Sequence, residues 1–96
     1  MNKREILDIL KQYKEANRKK YGLQTLGVFG SYARSEETAM SDVDIVLQTE
    51  TPNMFNVIHI KNDLEKQLNL PVDIVRLRKN MNPLLRQRID QEAFYV

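Results

Sequence analysis

The segment Asp42–Gln48 (DVDIVLQ) restricts the possible folds more than any other part of the chain. In a strand, successive side chains point to opposite faces of the sheet. One face carries Val43, Ile45 and Leu47, and the other carries Asp42, Asp44 and Val46. Because both faces are apolar beyond the first residues, the strand has to be covered on both sides, with its polar chemistry confined to its beginning.

Helical and extended patterns alternate along the rest of the chain. Apolar residues at spacings of three and four predict long helices over Asn2–Lys20 and Met54–Leu68, and a third that begins at Asn82-Pro83. The predicted inward residues are Ile6, Leu7, Leu10, Tyr13 and Ala16 in the first helix, Met54, Val57, Ile58, Leu64 and Leu68 in the second, and Leu84, Leu85, Ile89 and Ala93 in the third. Met54 and its neighbour Phe55 are expected in the core or at its rim.

Short runs of β-forming residues predict strands over Leu23–Phe29 and Pro71–Leu77, with a brief helix that begins at Ser31. The last three residues, Phe94-Tyr95-Val96, are a candidate for a further short strand. The order is helix, strand, helix, strand, helix, strand, helix. The expected fold is therefore α/β, with helices packed on a small β-sheet, in a single domain of residues 1–96, and the order of elements leaves open whether the sheet is parallel or mixed.

Composition limits the chemistry that the chain can support. Fifteen Lys and Arg against 13 Asp and Glu give a net charge of +2, which is too slight to argue for direct nucleic-acid binding. With one histidine and no cysteine, the usual zinc sites are excluded, and a metal has to be a hard ion bound by oxygen. No signal peptide or membrane span is expected, so the predicted setting is the cytoplasm.

Gly30, Ser31 and Arg34 form the first candidate binding element. The glycine lets a ligand approach the backbone, the serine supplies a hydroxyl at a helix start, and Arg34 lies one helical turn further on. Together they could bind a phosphate. The alternative is an ordinary turn between a strand and a helix, followed by a solvated arginine.

Asp42 and Asp44, two apart on the predicted strand, share a face and could bind one cation together. Asp73 begins the next strand in the position that Asp44 has in its own. If the two strands are neighbours, three carboxylates meet at one end of the sheet, which is the usual composition of a two-metal phosphoryl-transfer site. The alternatives are exposed residues at the start of a strand and, for Asp73, a turn residue after Pro71.

The succession GSYAR, DVD and VDIV resembles the minimal nucleotidyltransferases of the DNA polymerase β superfamily, specifically the MNT-type antitoxins paired with HEPN toxins. The resemblance implies the nucleotidyltransferase fold, with a small mixed β-sheet flanked by helices. It implies that Gly30 and Ser31 hold the triphosphate of ATP and that Arg34 matches the arginine of the family pattern. It also implies that Asp42, Asp44 and Asp73 bind two magnesium ions, with Asp73 as the base. The implied reaction transfers AMP to a tyrosine of a partner HEPN toxin.

Two other functions remain open from the sequence: transfer to a small molecule or an RNA end, and neutralisation of a toxin by binding alone. The chain's small size favours an acceptor delivered by another protein.

Several further residues have two interpretations each. Tyr32 could stack on a base or pack, His59 is expected to be a surface or packing residue, and the basic region is either a solvated face or a surface that attracts ATP or an acidic partner patch. That region contains Arg76, Arg78, Lys79, Arg86 and Arg88.

Overall fold

A computed structural model describes residues 1–96 as one four-stranded sheet with helices on both faces. The elements are α1 (Lys3–Tyr21), β1 (Leu23–Phe29), α2 (Gly30–Ala33), β2 (Val43–Thr49), α3 (Met54–Leu68), β3 (Val72–Arg76), α4 (Pro83–Glu92) and β4 (Phe94–Tyr95). The strand order is β3-β2-β1-β4. β2 runs parallel to β3, and β1 is antiparallel to both β2 and β4.

The predicted α/β class, mixed sheet, element order and fourth strand are therefore confirmed, with strand ends shifted by a residue. Asparagines begin the three long helices. The side chain of each accepts hydrogen bonds from backbone N–H groups of the first turn, and these residues are Asn2, Asn53 and Asn82. Gly22 and Asn69 end α1 and α3 in the left-handed conformation.

Both faces of β2 are buried, as its sequence predicts. Val43, Ile45 and Leu47 lie in a large apolar cluster beneath α1 and α3. Val46 lies on the opposite face, in a smaller cluster with Phe29 and with Ile89 of α4. All four β2 residues are fully shielded from solvent.

Several residues predicted to face inward are exposed instead. Met54, Phe55, Ile58 and Leu84 have exposed fractions of 65%, 77%, 51% and 72%, and Ala16 is also exposed. In α3 the buried stripe is Ile60, Leu64 and Leu68, and α4 directs Leu85 and Ile89 towards the sheet. α3 and α4 each bury one narrow stripe, and adjacent apolar residues are turned about 100° away from it. None of the helices is both long and apolar enough to cross a membrane.

Candidate active site

The turn from β1 into α2 brings the backbone against β2. Gly30 has a φ of 75°, in the left-handed region that glycine adopts without strain. A Cβ atom at this position would overlap the carboxylate of Asp44. Glycine is thus required both for the backbone conformation and for the space that Asp44 occupies.

Asp44 and Asp73 lie side by side at the end of the sheet where the parallel strands β2 and β3 begin. They are register partners on the parallel strands β2 and β3, and Phe29, which precedes Gly30, is the partner of Asp44 on β1. Neighbouring strands are about 4.8 Å apart, and register partners project to the same face. The sequence predicts that these carboxylates meet if the two strands are neighbours, and in the structure the two strands are neighbours.

The two aspartates repel each other. The pKa of Asp44 is raised above its ordinary value, first by burial of the carboxyl and then by the negative charge of Asp73. Arg88 and Arg34 act in the opposite direction, and Asp42 adds a weaker repulsion. None of the three aspartates forms an ion pair. This end of the sheet therefore carries negative charge that Arg88 and Arg34 offset only in part, and a divalent cation neutralises charge of this kind.

Asp42 is less closely integrated than predicted. β2 begins at Val43, so Asp42 precedes the strand and its side chain is exposed. No three His, Cys, Asp or Glu side chains form a ready-made metal cluster. The structure thus brings Asp44 and Asp73 together and leaves Asp42 at the margin of the pair.

Arg34 is held by acidic residues. Its Nη1 donates to Glu92 at 2.7 Å, and its Nε donates to Glu36 at 3.4 Å. The Glu92 carboxylate raises the pKa of the Arg34 guanidinium. Glu92 also accepts a hydrogen bond of 3.3 Å from the Gly30 N–H. One carboxylate therefore ties the two ends of α2 to the end of α4.

Glu92 is the site residue that the sequence interpretation missed. The only local signal is its spacing four residues after Arg88, which places both on one face of α4, and their charged groups lie 3.8 Å apart. Arg88 belongs to the basic region and its charge reaches Asp44. Tyr32 is buried in the large apolar cluster, which favours packing, and His59 is exposed on α3.

The sequence profile of the family described as Polymerase beta, Nucleotidyltransferase matches residues 5–95. This chain belongs to the polymerase β nucleotidyltransferase family. The predicted resemblance and nucleotidyltransferase activity are thereby confirmed, and membership of this family implies a nucleotide substrate.

Two relatives of similar length are named as protein adenylyltransferases. A protein of Methanocaldococcus jannaschii, provisionally named a protein adenylyltransferase, is 36% identical over 93 residues, which are 96% of this chain and 95% of that protein. The Protein adenylyltransferase MntA of Thermococcus cleftensis is also 36% identical over 93 residues, 96% of this chain and 93% of its own length.

Solved structures show the same nucleotidyltransferase fold. One, provisionally described as a minimal nucleotidyltransferase, has a TM-score of 0.77 and 30% identity, and the match covers 98% of this chain and 95% of that one. A second belongs to the complex of a tri-AMPylated Shewanella oneidensis HEPN toxin with its MNT antitoxin. It has a TM-score of 0.71 and 21% identity, covering 97% of this chain and 70% of that one, a likeness of fold alone.

Proposed function

We propose that this chain is a magnesium-dependent protein adenylyltransferase that transfers AMP from ATP to a tyrosine of a partner HEPN toxin and so acts as its antitoxin. The observation that carries the proposal is the meeting of Gly30, Asp44 and Asp73 at one end of the sheet. The names of its relatives support protein adenylylation in particular. Because ATP is the donor, the proposed setting is the cytoplasm.

The carboxylates at this end of the sheet fit magnesium by their chemistry. All the candidate ligands are hard oxygen atoms, and Asp44 and Asp73 lack a cationic partner. Asp42 is exposed, so its side chain can turn towards the pair. We assign the three residues as ligands of two Mg²⁺ ions, which when bound supply charge compensation for the phosphates.

The remaining residues position the two reactants. Gly30 and Ser31 hold the triphosphate beside Asp44, and Glu92 fixes Arg34 at the end of the same turn. The tyrosine oxygen forms a bond to the α-phosphorus, and the bond from that phosphorus to the bridging oxygen breaks, so pyrophosphate leaves with the electron pair. Asp73 accepts the proton of the tyrosine hydroxyl.

Intact-protein mass measurement tests the proposal directly. The chain is mixed with ATP, magnesium and the HEPN partner, and the partner is expected to gain one or more AMP groups. Asp44→Asn and Asp73→Asn each remove the transfer, whereas Asp8→Asn, at an exposed position on α1, retains it. An unchanged partner mass under conditions where the two proteins bind would falsify the proposal.

The non-catalytic alternative has its own outcome. A chain with Asp42, Asp44 and Asp73 all changed to asparagine is expected to fail to rescue cells that express the toxin. Full rescue by this triple variant contradicts the enzymatic proposal and supports inhibition by binding alone. Labelling of RNA or of a small molecule in place of the partner protein contradicts the proposed acceptor.

A further inference from the structure

The outer side of β3 is open. β3 is an edge strand whose only neighbour is β2. Ile45 and Val46 of β2 are fully buried, yet their register partners Ile74 and Val75 are only half-buried. The apolar side chains of β3 are thus incompletely covered.

The backbone of β3 presents free hydrogen-bonding groups on that side. The Pro71 carbonyl and the Leu77 N–H bond to β2, so the odd-numbered residues face β2 and the even-numbered residues face outward. The outward Val72 N–H donates to the Glu65 carboxylate, and the outward Arg76 carbonyl accepts from the Arg78 side chain. This leaves four outward groups without a strand partner: the Val72 carbonyl, the N–H and carbonyl of Ile74, and the N–H of Arg76.

A groove of about 490 Å³ runs across this edge. Met54 and Val57 of α3 form one wall, on one face of the sheet, and Leu85 of α4 forms the other, on the opposite face. The edge of β3 from Ile74 to Arg76 is its floor. An added strand would direct alternate side chains towards the two walls. We call this feature the β3 groove.

Charge identifies the kind of segment that fits the β3 groove. Arg76 and Arg78 line it, and Lys79 follows in the next loop. None of the residues that line the groove is acidic. An acidic segment is therefore attracted, whereas a second copy of this chain would bring two basic rims together.

We propose that the β3 groove binds an extended, acidic segment of the acceptor protein, which pairs with β3 as a fifth strand. The identity of the acceptor rests on the proposed function. A strand paired with β3 lies about 4.8 Å from it. Because Asp73 is the second residue of β3, the bound segment passes beside the carboxylate assigned as the base.

Matched substitutions test this docking surface in the transfer reaction. Met54→Asp places a negative charge in the groove, and Phe55→Asp places one on the adjacent residue, which is exposed but does not line the groove. Met54→Asp is expected to lower kcat/KM for the acceptor about tenfold, the effect of losing ~1.4 kcal/mol of binding, while Phe55→Asp leaves it within about twofold. Arg78→Glu is expected to act like Met54→Asp, with Lys61→Glu as its control. Thermal melting checks that all four variants fold.

Amide hydrogen exchange tests strand pairing without any chemistry. The probe is a synthetic nine-residue peptide of alternating valine and glutamate, with a valine–lysine peptide as control. The acidic peptide is expected to slow exchange at the outward Ile74 and Arg76 amides. The Val75 and Leu77 amides face β2 and should change little. The lysine peptide should have no effect.

The outcomes separate the two proposals. Slowed exchange at Ile74 and Arg76 without AMP transfer supports docking and contradicts the proposed function. Transfer that is unaffected by Met54→Asp and Arg78→Glu contradicts docking and leaves the proposed function standing. Slowed exchange that depends only on the concentration of this chain shows that a second copy occupies the groove, and it overturns the inference. No slowing with the acidic peptide at millimolar concentration also overturns it.

Discussion

Gly30 is constrained twice, by its own backbone and by its neighbour. Its φ of 75° is strained for any residue with a Cβ, and that Cβ would collide with the Asp44 carboxylate. Gly22 has a similar φ of 61° at the end of α1, but there a Cβ would meet only Glu50, at 3.4 Å. A comparison of alanine variants at Gly30 and Gly22 therefore separates the cost of backbone strain from the cost of displacing Asp44.

Gly30→Ala is expected to lose more stability than Gly22→Ala and to lose transfer activity as well. The backbone strain alone costs about 1–2 kcal/mol at either position, which lowers the melting temperature by about 4–8 °C per kcal/mol in a domain of this size. Thermal melting and the AMP-transfer assay measure the two effects. Equal activity in the two alanine variants would contradict the role given to Gly30.

Asp44 makes stability depend on pH in an unusual direction for an aspartate. Its folded pKa lies above the ordinary value of 3.8, because burial and Asp73 disfavour the charged form. The folded protein therefore holds the proton more tightly than the unfolded chain. The resulting stabilisation is complete below about pH 3.8 and is lost as the pH rises through the folded pKa.

Asp44→Asn is expected to remove this loss of stability. The difference in unfolding free energy between the asparagine variant and the wild-type should shift in favour of the variant as the pH rises from about 3.8 to 7. Added magnesium should raise the melting temperature of the wild-type and have little effect on the variant, since an ion that binds only the folded state stabilises it. Urea titrations across the pH range supply the measurement, and a constant difference would argue against a repelled carboxylate.

At the scale of elements, the end of α4 organises the turn that follows β1. β4 is antiparallel to β1, and Gly27 and Val28 of β1 pair with Tyr95 and Phe94 of β4. Because β4 follows α4 directly, this pairing brings Glu92, at the end of α4, beside Gly30. The same carboxylate holds Arg34. The link joins parts of the chain that are 58 and 62 residues apart.

Glu92→Gln is expected to raise the KM for ATP with a smaller change in kcat, because the amide can still accept from Gly30 but no longer carries the charge that fixes Arg34. Misplacement of a binding group by about 1 Å costs up to about a hundredfold in efficiency. Asp90→Asn is the control, since Asp90 forms an exposed ion pair with Arg86 on the same helix. A kcat and KM for Glu92→Gln that match those of the control would limit Glu92 to a structural role.

At the scale of the whole molecule, the sheet separates two cores of unequal size. Fourteen buried residues form the cluster beneath α1 and α3, and three form the cluster beneath α4. β2 contributes to both and is buried along most of its length. The stability of the molecule therefore depends most on this strand.

Ile45→Ala is expected to destabilise the protein by about 2–5 kcal/mol, since it leaves a cavity in the larger core. This is a large part of the 5–15 kcal/mol that is usual for a domain. Ile58→Ala, at a half-exposed position on α3, should change stability by less than about 1 kcal/mol. Chemical denaturation measures both, and similar losses in the two variants would contradict the difference in burial between Ile45 and Ile58.

Local patterns predicted the elements well and the exposed faces poorly. The helix start at Asn82-Pro83, the strand alternation and the turn at Gly30 depend on neighbouring residues, so they could be predicted from the sequence. The predicted inward or core-rim positions of Met54, Phe55, Ile58 and Leu84 are wrong, because an apolar residue on a helix is buried only if another element covers that side. The basic region was described as either a solvated face or a binding surface, and Arg76 and Arg78 prove to line a groove.

Local spacing in the sequence is enough to predict the buried central strand, the alternation of helices and strands, and the residue types of the candidate site. The packing of the folded chain makes β2 and β3 parallel neighbours, which brings Asp44 beside Asp73, and it allows Glu92 to reach Gly30 and Arg34. The same packing leaves the outer side of β3 open. These features depend on the packing of segments far apart in the chain, and the free energy of that packing is not expressed in any local pattern.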